Sequence, residues 1–126
     1  MSTKSISEWQ REIGDWGQRK GWDKPPLCQI KASECGEVID PNVEAIGTKL
    51  MLVVTEVSEA MEALRDNKLA YYEKDGKPEG MVTELADTVI RVLHLADLLG
   101  LDLEDAIERK MAFNEKREYR HGGRKA

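Results

Sequence analysis

Two apolar helical segments, each carrying two carboxylates one turn apart, constrain this chain more than any other feature. They fall over about 46–68 and 80–99. Glu56 and Glu59 are three residues apart, as are Glu84 and Asp87, so each pair shares a helical face. Val53, Val54, Val57, Ala60 and Met61 surround the first pair, and Leu85, Ala86, Val89 and Ile90 the second. Ionised carboxylates in such company are costly to bury unless positive charge meets them. Four of them on two adjacent helices would repel one another severely without a cation. The economical reading is a divalent metal site built from Glu56, Glu59, Glu84 and Asp87.

The rest of the pattern is helical too. Ser5-Ile-Ser-Glu8 resembles a capping box, and Ile6, Trp9, Ile13 and Trp16 then follow at helical spacing. This predicts a first helix over about 5–20, weakened toward its end by Gly17 and Gly21, with Trp22 just beyond. Trp9 and Trp16 read as packing residues. Trp22 is open to two readings, a ligand-facing aromatic and a packing residue. Residues 23–39 lose all periodicity and read as a long loop containing Cys28 and Cys35, whose spacing fits no common zinc pattern. Both cysteines read as free thiols.

Asp40-Pro41 looks like an N-cap followed by proline, so the second helix is expected over about 41–68, with Gly47 as a weak point. Its apolar set is Ile46, Leu50, Val53, Val54, Val57, Ala60, Met61 and Leu64. Tyr71 and Tyr72 before Asp75-Gly76 suggest a small hairpin. The third helix, about 79–99, is apolar on nearly every face and reads as the central one, ended by Gly100. Asp102 caps a fourth helix over about 102–118. The expectation is one all-α, four-helix bundle-like domain spanning 1–126.

At 126 residues the chain suits one domain. No apolar run is long enough to span a membrane and no signal peptide is evident, so the expected location is the cytoplasm. A net charge of −5 argues against stable nucleic-acid binding. Positive charge nevertheless gathers at the C-terminal end in Arg109, Lys110, Lys116, Arg117, Arg120, Arg124 and Lys125. Such an end beside an acidic core suits an anionic ligand held between them. It equally suits a solvated helix end favoured by its dipole.

Spacing alone is weak evidence, because Glu34/Glu37, Glu59/Glu62, Asp102/Asp105, Asp105/Glu108 and Glu115/Glu118 share it. Most such pairs are solvated helix faces; the apolar surroundings and the matching second pair set Glu56, Glu59, Glu84 and Asp87 apart. Carboxylates are hard ligands suited to Mg²⁺, with Mn²⁺ as a substitute. Ions held there would cancel polyphosphate charge and lower the pKa of a water, while cations from the fourth helix clamp the remaining phosphates.

Glu56-Val-Ser-Glu59, twenty-four intervening residues and Glu84-Leu-Ala-Asp87 together resemble the E-x-x-E…E-x-x-D signature of the MazG-like all-α nucleoside triphosphate pyrophosphohydrolases. Lys110-Met-Ala-Phe-Asn114-Glu-Lys-Arg117 resembles that family's K-x-x-x-N-x-x-R segment, and His121-Gly-Gly follows as in its short members. Glu118 departs from the pattern, where Pro often follows the basic residue. The resemblance covers about 49–124. It implies Mg²⁺-dependent cleavage between the α and β phosphates of a nucleoside triphosphate, giving a monophosphate and pyrophosphate. It further implies metal ligation by Glu56, Glu59, Glu84 and Asp87, with Glu59 orienting the attacking water. Lys110, Asn114 and Arg117 would contact phosphates. Homodimers, or homotetramers as dimers of dimers, would build sites across the subunit contact.

Three more residues are candidates for the substrate. Arg91, one turn after Asp87, suits either carboxylate neutralisation or a phosphate contact. Lys49 lies two turns before Glu56, and Trp22 suits a stacked nucleobase. His94 on the apolar third helix reads as a hydrogen-bonded core histidine. A di-iron bundle, which needs paired Glu-x-x-His motifs, is disfavoured because only Glu118/His121 has that spacing. Phosphoribosyl-ATP pyrophosphatase and a non-catalytic helical interaction module with a structural cation site remain as alternatives.

Overall fold

The computed structural model describes residues 3–22 and 42–117. In order these form α1 (Ile6–Arg19), α2 (Asn42–Arg65), β1 (Tyr72–Lys74), β2 (Lys77–Glu79), α3 (Met81–Leu98) and α4 (Leu103–Glu115). The architecture is all-α with one short antiparallel hairpin. No helix among the described residues is long and apolar enough to cross a membrane. Asp40, Pro41, the expected loop at 23–39 with both cysteines, Glu118 and His121 lie outside the described residues.

Local chemistry accounts for most of the boundaries. Ser5 Oγ accepts from Glu8 N while the Glu8 carboxylate accepts from Ser5 N, a complete capping box. Asp102 accepts from Asp105 N at the start of α4. Three helices end alike. In α1, α2 and α3 the turn closes with a left-handed residue, Gly21, Asn67 or Gly100 respectively. The next amide then reaches back five residues: Trp22 N to Gly17 O, Lys68 N to Ala63 O, and Leu101 N to Ala96 O. These are Schellman stops, and they satisfy carbonyls that would otherwise be orphaned.

Three expected boundaries move, the fourth helix ending at Glu115 rather than near 118. The second helix stops at Arg65 rather than near 68, because Asn67 adopts φ 57°, a conformation asparagine tolerates. The third starts at Met81 rather than 79, because Glu79 pairs with Tyr72 in the hairpin. Asp75 and Gly76 both take positive φ, as the tight hairpin turn requires. Gly47 does not break α2.

α3 is the central helix, packed against both α1 and α2. Its buried run is Leu93–Ala96, joined by Ile13 from α1 and Ala60 from α2. Gly17 on α1, expected as a weak point, is a contact position, as is Gly14: a Cβ at Gly14 would strike Asp97 and one at Gly17 the His94 ring. The link from α2 into the hairpin is tied to the start of α3 through Met81 N to Lys68 O (2.7 Å) and Val82 N to Leu69 O (3.1 Å). α4 rests mainly on α1, through Ser7 Oγ to Glu104 and Gln10 Nε2 to Leu101 O. Its Ile107, Met111 and Phe113 are exposed.

Candidate metal centre

The long α2 and the N-terminal half of α3 run side by side and bring the acidic pairs together. Glu56, Glu84 and Asp87 each offer one carboxylate oxygen, and these atoms lie within 4.8 Å of one another. Glu56 is buried and the other two are half-buried. Glu59 is exposed and stands outside that triplet, yet its carboxylate meets that of Glu84. The four residues thus gather at one place, three at the centre and Glu59 at its open edge.

The electrostatics reflect that crowding. Burial raises the Glu84 carboxyl to about 7, helped by its hydrogen bond and repulsion with Glu59 and by the charges of Asp87 and Glu56. Burial and then the Glu56 charge raise Asp87, against the opposing pull of Arg91 and Lys77. Glu84 Oε2 is buried with no hydrogen-bond donor among the described residues. An orphaned acceptor in a set made only of hard carboxylate oxygens fits a divalent cation such as Mg²⁺ or Mn²⁺. The cluster can therefore hold a metal ion.

Arg91 provides the compensating charge. Its Nε donates to Glu56 Oε1 at 2.7 Å, and its guanidinium lies 4.8 Å from the centre of the Trp22 ring. Trp22 is placed by the Schellman stop of α1. Its ring meets Trp16 edge-on at 4.5 Å and His94 at 6.0 Å. Lys49 Nζ donates to the Trp22 carbonyl at 3.0 Å. Trp22, Lys49, Leu52, Arg91, His94 and Leu95 line a pocket of about 260 Å³ beside the acidic centre. His94 itself is buried.

The structure does not bring the α4 residues to this place within one chain. Lys110 and Arg117 lie over the ring of Phe113 on their own helix, at 5.1 and 5.8 Å. Asn114 Nδ2 approaches Met111 Sδ, and its Oδ1 is buried and unsatisfied. None of the three has a hydrogen bond or ion pair with the acidic cluster. Lys77, by contrast, was no sequence candidate, yet its charge is felt at Asp87. The Asp75-Gly76 turn, which sends β2 into the start of α3, is the sequence signal that could have found it.

The outer surface of the helical pair is apolar. Leu50, Val54, Val57, Met61 and Leu64 form an exposed stripe on α2, and Val82, Leu85 and Val89 are exposed on α3. A groove of about 540 Å³ follows the α2 stripe, with Met81 of α3 in its lining. Comparison of the chain with family models, with curated proteins and with solved structures finds no match to any of them.

Proposed function

We propose that this chain is a Mg²⁺-dependent nucleoside triphosphate pyrophosphohydrolase of MazG-like four-helix architecture. The observation that carries the reading is the convergence of Glu56, Glu84 and Asp87 with the unpartnered Glu84 Oε2. The paired E-x-x-E and E-x-x-D motifs and the Lys110/Asn114/Arg117 segment support it by resemblance. Glu56, Glu84 and Asp87 hold the ion, with Glu59 available at the open side. Divalent cations in such a site neutralise phosphate charge and acidify water.

The chain's own residues supply the remainder. Glu59 accepts the proton of the attacking water at its carboxylate. The water oxygen bonds to the α phosphorus as the bond to the β-phosphate oxygen breaks, releasing a nucleoside monophosphate and pyrophosphate. The pocket at Trp22 offers an aromatic face for the base, with Lys49 and Arg91 at its rim for phosphate or sugar oxygens. Lys110, Asn114 and Arg117 reach phosphates from a second copy of the chain. The exposed stripes of α2, α3 and α4 support that homodimeric arrangement, because contiguous apolar patches of this kind mark interaction surfaces.

A structural reading competes, favoured by the Arg91–Glu56 ion pair, in which the cluster is a buried polar contact with no catalytic part. One assay separates the two. A panel of canonical and modified nucleoside triphosphates, with phosphoribosyl-ATP included, is incubated with Mg²⁺ or Mn²⁺ and scored for pyrophosphate. Pyrophosphate with the matching monophosphate from at least one member is the expected result. Turnover of none leaves only the structural reading.

A further inference from the structure

Arg91 touches two places at once. Its Nε holds Glu56 Oε1 at 2.7 Å, and the other side of its guanidinium lies on Trp22 at 4.8 Å. Its side chain is 25% exposed and that of Glu56 11%, so neither is free to swing as a surface ion pair does. Trp22 is anchored in turn by its amide to Gly17 O and by its ring against Trp16. The run Trp16–Trp22–Arg91–Glu56 links the end of α1 to the middle of α2 through α3.

We propose that Arg91 is the positioning residue of the acidic centre: held in place by Trp22, it fixes Glu56 Oε1 and turns the other carboxylate oxygen toward Glu84 and Asp87. This rests on the metal reading above. A planar guanidinium donating from Nε defines both the distance and the plane of its partner, which an ammonium cannot do. Outer partners of this kind orient metal ligands, and their loss typically lowers metal affinity by about ten- to a hundredfold.

The sign of one measurement separates positioning from simple charge compensation. If Arg91 served only as a counter-charge, its removal would leave the centre more negative and Mn²⁺ would bind more tightly. If it positions Glu56, its removal weakens Mn²⁺ binding despite the gain in negative charge. The experiment is Mn²⁺ titration of the metal-free full chain, read from the free-ion paramagnetic resonance signal, at fixed pH and ionic strength.

Arg91→Gln is expected to weaken Mn²⁺ binding roughly ten- to a hundredfold, with Arg91→Lys recovering little of it. Trp22→Leu leaves every carboxylate and Arg91 in place and is expected to weaken binding by roughly a factor of three to five, while Trp22→Phe stays near wild type. In the double variant Arg91→Gln/Trp22→Leu the Trp22 change adds nothing, because both act through one contact. Tighter or unchanged binding in folded Arg91→Gln overturns the proposal. If that variant does not fold, wild-type affinity in Arg91→Lys overturns it, and wild-type affinity in Trp22→Leu overturns the route through the ring. A wild-type chain that binds no Mn²⁺ sinks this inference and the enzymatic reading together. One that binds Mn²⁺ but hydrolyses no nucleotide sinks only the enzymatic reading.

Discussion

Glu56 and Val57 are neighbours on one helix with opposite surroundings. Glu56 is 8% exposed and Val57 is 50% exposed. The inner side of α2 thus buries a charge, while its outer side shows water a stripe of leucine, valine and methionine. Ordinary monomeric proteins do the reverse. The inner inversion is tolerable because Arg91 meets Glu56 and because a cation suits the remaining carboxylates. The outer one is tolerable if a second copy covers it. Under the proposed function, both sides of α2 would serve something beyond the single chain, an ion on one side and a second copy on the other.

The most severe test of the inner half removes a central carboxylate. Asp87→Ala should reduce pyrophosphate release at least about a hundredfold, since a metal ligand rather than an outer partner is lost. Far-UV circular dichroism and the oligomeric state by sedimentation should stay as in wild type. Full activity of Asp87→Ala at low magnesium would remove Asp87 from the site.

The packed and unpacked apolar faces are contrasted by truncation. Leu93 is 4% exposed in the core, so Leu93→Ala should lower unfolding free energy by about 2–5 kcal/mol in urea titrations. On the outer stripe, Val57→Glu should leave a folded chain that sediments as a monomer. A wild-type chain that is itself monomeric at high micromolar concentration would break the comparison at its outer half.

A third test uses pH. The folded state raises Glu84 from 4.5 to about 7, so between those values it binds more protons than the unfolded chain does. Stability of the metal-free protein from this group is present in full below pH about 4.5 and is lost as pH rises through about 7. In chelator, the melting temperature should fall across that window, and millimolar Mg²⁺ should relieve most of the fall. Glu84→Gln should flatten the profile; an unaltered slope in that variant would place the pH dependence elsewhere.

The smallest expected effect concerns α4. Lys110→Ala should raise KM for the triphosphate several-fold with little change in kcat, as loss of uniform binding does. Lys110 lies on Phe113 of its own helix, so under the proposed reading its contribution would come across a dimer. Hence Val57→Glu and Lys110→Ala should give similar KM values, and the combination no further increase. Unchanged kinetics in Lys110→Ala would detach α4 from the site.

Local features were legible without the structure. The capping box at Ser5 and Glu8, the Asp75-Gly76 turn, the Asp102 cap and the Gly100 stop each depend on a few consecutive residues. The acidic pairs were visible because helical periodicity aligns residues three apart. Three things were not. Gly17 looks like a weak point in isolation, and only the approach of His94 shows it as a contact, as Asp97 does for Gly14. The apolar set of α2 splits in two, with Val53 and Ala60 facing inward and Leu50, Val54, Val57, Met61 and Leu64 left outside. Glu59 stands at the edge of the acidic centre rather than inside it.

Caps, turns and periodicity are set by interactions within a turn or two of chain, so the amino-acid order alone determined the four helices, the hairpin and the pairing of carboxylates on each face. Which stripe of α2 packs, and that Arg91 meets Glu56 thirty-five positions away, depended on how the helices dock. Several docking angles satisfy the same local pattern; burial across distant segments selects one of them, and only the tertiary structure records that choice.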